Sequence, residues 1–307
     1  MNVIITGAFG FLGSYVVKQC ANLGLNPIVL KRKDSDKERL ENCEYVAFEY
    51  DDIENDDVIR EVSKYNPQSL IHIAWKGIDS STRNNEDQIT YNLPFSITTI
   101  EFAKKVGCTQ WIGIGSLSEY GKITEKVDEN RCTSPSSLYA KSKLATCWAS
   151  SALCQAYDMK WAWIRVGSIY GPGDADNWLI PYVINSILNG KTPELTLSEQ
   201  VWDYLNVTDA ANAVLQIVKS RAEGIFNLGS GNEITIKQLV ELIDGKLNAA
   251  VRPKFGAKPY SLEQVMYMAA DITKIKQTTG WEPQIGLSDG LDETILSFQK
   301  KNKQKVN

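Results

Sequence analysis

The chain has 307 residues, 43% of them hydrophobic and 23% charged, with a formal net charge of −4. These proportions are ordinary for a globular protein and exclude a disordered chain, a collagen-like chain and a coiled-coil rod. A mildly acidic chain is also a poor general binder of nucleic acid or of an anionic membrane, which need a concentrated positive field.

The first predicted strand, over 3–6, meets a glycine-rich turn, and a helix follows over 11–22, stopped by Gly24. Strands are predicted over 26–30 and 44–49, a helix over 56–65 and a fourth strand over 69–74. A long helix over 84–106 ends at Gly107, and a strand over 110–115 follows. A helix over 139–157, rich in Ala, Ser and Leu, precedes a strand over 161–166. Apolar runs that alternate with helical segments predict an α/β fold: a parallel sheet with helices on both faces.

After Gly171 the texture changes. Prolines at 172, 181, 193, 253, 259 and 283 and frequent turn signals replace the steady alternation. A helix over 209–220 and a strand over 224–228 still stand out. This predicts a smaller, less regular module covering one end of the sheet. The segment 300–307 reads as a solvated, charged end.

No stretch approaches the roughly 18 consecutive apolar residues of a spanning helix, so no membrane association is expected. The start, MNVIITGAFGFLG, has no basic region before its apolar run and does not read as a signal peptide. Cysteines at 20, 43, 108, 132, 147 and 154 form no CxxC pair, which predicts reduced thiols and a cytoplasmic location. With His72 as the one histidine, a histidine-built metal site or a Ser-His-Asp triad is not expected, and no metal is assigned.

Three motifs carry chemistry. Gly7, Gly10 and Gly13 are spaced GxxGxxG between a strand and a helix. Residues without Cβ let a pyrophosphate approach the backbone, and the helix N-terminus meets its charge. The alternative is a plain tight turn; the strand–turn–helix context favours dinucleotide binding. The second strand then runs into Lys31-Arg32-Lys33. An acid at that place holds the ribose 2′-hydroxyl of NAD, whereas a base suits the 2′-phosphate of NADP. The cations favour NADP; the alternative is a solvated loop balanced by Asp34, Asp36 and Glu38.

Tyr139 and Lys143 are four residues apart and share one helix face. A nearby ammonium and an oxidised nicotinamide both favour the phenolate, lowering a pKa that is about 10 in the free side chain. Ser116 ends the fifth strand, placed to bond a substrate carbonyl while Tyr139 gives it a proton. YxxxK alone is usually a surface pair. The glycine turn and the strand-end serine upstream favour a catalytic role.

In chain order, TGAFGFLG, the strand-end serine followed by EYG, YAKSK, RVGSIYGPGD, WDYLNVTDAA, FNLGSG and TGWEP resemble the extended short-chain dehydrogenase/reductase family. Its members are NAD(P)-dependent nucleotide-sugar epimerases, dehydratases and reductases. The resemblance covers almost the whole chain. It implies a Rossmann doubly wound parallel sheet with a smaller C-terminal α/β module that binds the nucleotide sugar. Residues 1–170 with about 205–228 would form the first, and 171–204 with 229–307 the second. It implies Ser116, Tyr139 and Lys143 as the catalytic trio. The cofactor, NADPH or NADP, would meet Gly7, Gly10, Phe11, Leu12, Gly13, Lys31 and Arg32. Asp52 and Ile53 would contact adenine, and Ala74 and Trp75 would line the dinucleotide. Asn92 matches a helix asparagine near the site. Tyr139, Lys143, Val166 and Ser168 complete the expected cofactor contacts.

The departures narrow the activity. The family's sugar 4,6-dehydratases carry Asp-Glu after the strand-end hydroxyl; here stand Leu117-Ser118. Its GDP-fucose synthases use a cysteine two residues after the serine and a histidine after YGP; here stand Ser118 and, near the second, Asn177-Trp178. His72 is expected to be structural. A 4-epimerase with tightly held NAD needs only the trio, yet Lys31-Arg32 fits it badly. A silent NADP-sensing binding protein has no need of the intact trio. The expectation is an NADPH-dependent reductase of a nucleotide-linked 4-keto-6-deoxysugar, serving surface polysaccharide such as O-antigen. Where many members carry an arginine before Asp-Tyr this chain has Trp202, and Ser168 replaces an asparagine. Asn177 and Arg252 are candidates to bind the phosphates instead, a surface arginine being the alternative for Arg252. Trp75, Ser81, Arg83 and Ser118 are expected to line the sugar pocket. A homodimer is expected through the helices over 84–106 and 139–157, the second with Ala145, Ala149, Ser150 and Ala152.

Overall fold

The computed structural model describes residues 1–33, 35, 38–79 and 81–306; Asp34 and Asp36, named above as counter-charges, lie outside them. The first half comprises β1 (Asn2–Thr6), α1 (Phe11–Asn22), β2 (Asn26–Lys31), β3 (Val46–Glu49), α2 (Asp56–Ser63) and β4 (Ser69–His72). There follow α3 (Asp87–Thr90), α4 (Asn92–Lys105), β5 (Gln110–Ser116), α5 (Leu138–Ala156), β6 (Lys160–Val166) and β7 (Ser168–Tyr170). The rest is α6 (Leu179–Leu188), β8 (Val201–Asn206), α7 (Val207–Ser220), β9 (Gly224–Leu228) and β10 (Glu233–Thr235). Last come α8 (Ile236–Leu247), β11 (Tyr267–Met268), α9 (Thr273–Thr279) and α10 (Leu287–Val306).

Seven strands form one sheet in the order β3-β2-β1-β4-β5-β6-β9, and every pair in it is parallel. This is the Rossmann-type doubly wound sheet that the sequence predicts. The order reverses between β1 and β4, which opens a crevice at their carboxyl ends, where such sheets bind ligands. Strand alternation divides the core. Val3, Ile5, Ile71, Ile112 and Ile164 face α1 and α7, where Val16, Val17, Ala210 and Val214 meet them. Ile4, Leu70, Trp111 and Trp163 face the other way, toward Ile100 and Phe102 of α4 and Cys147 of α5.

After β6 the chain leaves this sheet. A second sheet runs β10-β8-β11, with β7 beside β8. Helices α6, α8 and α10 cover it through Val183, Ile184, Leu239, Val240, Leu291 and Ile295. Helix α7 and strand β9 return to the large sheet.

The long helix predicted over 84–106 is broken. Residues 82–86 are turns, α3 is a single turn, and α4 begins at Asn92. Two reasons are local. Pro94 is tolerated in the first turn of a helix but would clash with the carbonyl of residue 90 in a helix interior. Gln88 and Asn92 turn inward, where their amides bind the backbone of the loop after β4 at Lys76 and Gly77. The charged end over 300–306 continues α10 rather than trailing free.

Candidate active site

The glycine turn joins β1 to α1 at the carboxyl edge of the sheet. Gly7 has φ +70°, and a Cβ on it would lie 2.6 Å from the amide nitrogen of Ala74. A Cβ on Gly13 would collide with the carbonyl oxygen of Gly7. Turn, helix and the end of β4 therefore touch through backbone alone. Gly10 is the N-cap of α1, with no side chain capping it, and Phe11-Leu12-Gly13 open the helix without an acid in the first turn. A helix N-terminus free of carboxylates, reached over bare backbone, fits a dinucleotide pyrophosphate.

At the end of β2, Lys31 pairs with Glu49 at the end of β3, and Lys33 lies 2.7 Å from Asp51. The backbone of Arg32 donates to Ser35 Oγ at 3.2 Å. Asp52 Oδ1 accepts from the backbone of Glu54 at 2.9 Å in the turn before α2, and Ile53 is buried. The end of β2 thus offers cations and acids together. The sequence reading weighed only nearby acids; Glu49 and Asp51 arrive on the neighbouring strand.

Ser116 is the last residue of β5, and Tyr139 and Lys143 lie on the first turns of α5. The α5 N-terminus is fixed by Ser137, whose Oγ accepts from the Ala140 amide at 3.2 Å. The Ser116 side chain lies close enough to the Tyr139 phenol to favour its ionised form. Lys143 is 3% exposed and donates to the Ile114 carbonyl at 2.6 Å. Its Nζ lies 3.5 Å from the ring centroid of Trp75 and 5.9 Å from that of Tyr139. The Arg83 guanidinium is closer to the Tyr139 ring, at 4.9 Å, and Trp75 meets that ring edge-on at 6.2 Å. Trp75 is held by Gln88 Oε1, which accepts from its Nε1 at 2.8 Å. The amide of Ser118 donates to Ser116 Oγ at 3.2 Å. Ser116, Ser118, Tyr139, Lys143, Trp75 and Arg83 therefore gather at one place.

Burial pushes the Tyr139 phenol up; the Arg83 charge and the nearby Ser116 hydroxyl pull it down. Burial pushes the Lys143 ammonium down to about 7, against the pull of Glu119. Lys143 therefore titrates in the neutral range. His72 sits beneath, between Thr6 Oγ1 and Ser96 Oγ at 2.9 Å each. Burial holds it down to about 3, so it is neutral and occupied in the core.

Other predicted residues are placed less centrally. Asn92 uses both amide atoms on the backbone of Lys76, at 2.9 Å each, and so supports the loop. Ser81 bonds Asp79 within that loop. Val166 and Ser168 flank the exit from the large sheet. Asn177 is exposed, and Arg252, 56% exposed at its side chain, pairs with Asp244 at 3.0 Å. Trp202 stacks on Tyr204 and donates to the Val265 carbonyl at 3.1 Å. Among the described hydrogen bonds and ion pairs, none joins Asn177, Arg252 or Trp202 to the trio.

Two buried residues escaped the sequence reading: Glu119 and Arg165, an ion pair at 2.8 Å directly behind Ser116. A signal was available. Ser116-x-x-Glu119 is a capping-box pattern, and both of its hydrogen bonds are present. Among the described residues, no cluster could hold a metal ion and no helix is long and apolar enough to cross a membrane.

A glycine turn at the switch point of a doubly wound sheet, with serine, tyrosine and lysine gathered beside it, defines the class as an extended short-chain dehydrogenase/reductase suited to a nicotinamide cofactor. Residues 3–229 match the NAD dependent epimerase/dehydratase family, and the chain belongs to it. It is 27% identical to dTDP-4-dehydro-6-deoxyglucose reductase of Escherichia coli, over 97% of this chain and 98% of that one. It is 26% identical to UDP-glucose 4-epimerase of Mycolicibacterium smegmatis, over 98% and 100% of the two chains. Among solved structures, UDP-glucose 4-epimerase of Thermotoga maritima with UDP-glucose superposes with a TM-score of 0.86 at 25% identity, covering 98% and 100%. The relatives act on nucleotide sugars, as reductases, epimerases and dehydratases.

Proposed function

We propose that the protein is an NADPH-dependent reductase of the C4 ketone of a nucleotide-linked 4-keto-6-deoxysugar, working in the cytoplasm toward surface polysaccharide or another glycoconjugate. The observation that carries this reading is the gathering of Ser116, Tyr139 and Lys143 beside a segment with no free acid or base. Leu117 and Ser118 supply none, and Glu119 is turned inward onto Arg165 and Trp163. A hydroxyl pair of this kind can move one proton to a carbonyl oxygen; elimination of water needs further acid–base groups. The E. coli relative named as a 4-dehydro-6-deoxysugar reductase supports the same reading.

Held at the glycine turn by Gly7, Gly10 and Gly13, a reduced nicotinamide would supply hydride chemistry for the carbonyl carbon. Ser116 orients the carbonyl oxygen, and Tyr139 gives its proton to the alkoxide that forms. Hydride plus proton thus turn the ketone into a secondary alcohol. Lys143 and Arg83 offset the phenolate left on Tyr139. The bare backbone of Gly7, Gly10 and Gly13 would hold the pyrophosphate, and Lys31 with Arg32 the 2′-phosphate. Glu49 opposes that preference, so Lys31→Asp is expected to shift use from NADPH toward NADH by about tenfold or more in kcat/KM. Trp75, Arg83 and Ser118 wall the sugar, with Ser81, Asn177 and Arg252 further out. The expected homodimer packs α4 and α5, where Trp148 is 59% exposed; sedimentation would measure it.

The test is loss of reduced-nicotinamide absorbance with CDP-, dTDP-, GDP- and UDP-linked 4-keto-6-deoxysugars, using NADPH and NADH in parallel. Turnover with one sugar and a preference for NADPH is the expected result. No oxidation of either cofactor with any sugar overturns the reading. The second reading is a 4-epimerase with tightly held NAD, favoured by Glu49 beside the ribose position and by the epimerase relatives. It requires NAD to survive purification on the protein and turnover without added reductant. If no sugar turned over and Tyr139→Phe changed nothing measurable, a silent NADP-sensing role would replace both.

A further inference from the structure

We infer that Glu119 is a positioning residue for the catalytic pair: with Arg165 it fixes the backbone that carries Ser116 and sets the charge felt by Tyr139 and Lys143. The inference rests on the reading of Ser116, Tyr139 and Lys143 as catalytic.

Glu119 is 0% exposed and Arg165 1%. One carboxylate oxygen accepts from the Ser116 amide at 2.9 Å and from Trp163 Nε1 at 3.0 Å; the other accepts from Arg165 Nε at 2.8 Å. Burial pushes the Glu119 carboxyl up, and against it the Arg165 charge and the three converging N–H donors pull toward the ionised form. The approach is so close that a Cβ on Gly115 would collide with both Glu119 Oε1 and Trp163 Nε1. Behind it the guanidinium lies 4.5 Å over the Tyr120 ring, and the Tyr120 hydroxyl donates to Asn227 Oδ1 at 2.8 Å. Asn227 in turn donates to the Val127 carbonyl at 2.8 Å and to Glu129 Oε1 at 2.7 Å. Ser116 is thus braced through charged and polar groups from β6 and β9.

A buried ion pair is a poor way to gain stability, since apolar residues of the same volume often do as well or better. What an apolar pair cannot supply is a fixed negative charge next to the site. The groups around Lys143 are His72, held neutral, the ring of Trp75, the Ile114 carbonyl and Glu119. Around Tyr139 they are Arg83, Ser116 and Glu119. Among the described residues, Glu119 is the one anion acting on both. It opposes the loss of the Lys143 proton and the ionisation of Tyr139, so both groups stay protonated to higher pH.

Glu119→Gln keeps the shape and the bond to Ser116 but removes the charge. NMR of isotope-labelled tyrosine, with the Tyr139 signal assigned by its loss in Tyr139→Phe, reads the phenol directly. The expected result is a shift of Tyr139 ionisation to lower pH by about half a unit or more. The alkaline limb of kcat/KM, measured with whichever keto sugar of the panel turns over, should move the same way. Should Glu119→Gln fail to fold, Glu119→Leu with Arg165→Met gives a neutral pair of similar bulk, and a smaller shift in the same direction is expected. A purely structural role would lower thermal stability and leave the Tyr139 titration where it was; that outcome in the folded variants overturns the inference. If Tyr139→Phe stays active, the catalytic reading fails instead, and the titration result stands by itself.

Discussion

The two faces of the large sheet are built differently. Toward α1 and α7 the core is made of Val, Ile, Leu and Ala, and its strands contribute Val3, Ile5, Ile71, Ile112 and Ile164. Toward α4 and α5 the same strands contribute His72, Trp111, Trp163 and Arg165, and the helices add Ser96, Thr99, Ser142, Lys143, Thr146 and Ser150, all buried. The first face stabilises the fold by removing apolar surface from water. The second places titratable groups out of water, which costs stability and brings the Lys143 ammonium down to about 7. The comparison teaches that one sheet keeps a site at its edge because one face can bear the cost of the other.

The largest effect expected from this contrast is on the apolar face. Ile164→Ala should lower the unfolding free energy by about 2–5 kcal/mol, measured by urea denaturation, through lost transfer energy and the cavity left behind. A loss below about 1 kcal/mol would mean that this face is not the anchor described.

On the polar face, pH separates the groups. The folded pKa of His72 is held down to about 3, below its ordinary value near 6.5. Its contribution is therefore present above about pH 6.5 and is lost as pH falls toward 3, because the unfolded chain takes up the proton first. His72→Gln, compared with the parent from pH 7 to pH 4, should gain about 3 kcal/mol in relative stability. Parallel curves for the two proteins would show that His72 is not what the acid limb reports.

The smallest effect is the most telling. Lys143 is pushed down to about 7 from an unfolded value near 10.5. Stability is full above the unfolded value, falls as pH drops toward 7, and stays low beneath it. Lys143→Met should thus be more stable than the parent by about 1 kcal/mol at pH 6, after the cost of stranding the Ile114 carbonyl, with the gain fading toward pH 10. Turnover should be lost in the same variant. A Met variant less stable at pH 6 would remove the idea that this face trades stability for charge placement.

What the sequence by itself determined are the features written in short-range spacing. The glycines of the β1–α1 turn, the alternation that makes the parallel sheet, and Tyr139 with Lys143 on one helix face all follow from periods of a few residues. The break at residues 84–92 does not, because Gln88 and Asn92 turn inward only once the loop after β4 offers them backbone partners. Nor do the pairs that set the site's electrostatics. Lys31 meets Glu49 across 18 residues and Glu119 meets Arg165 across 46, each joining separate elements of the sheet. Trp75 and Arg83 reach α5 from the far side of β5. Which charge lies beside which is fixed by strand order and by the face a side chain takes. Burial then decides what that charge does, and both exist only once the chain has closed on itself.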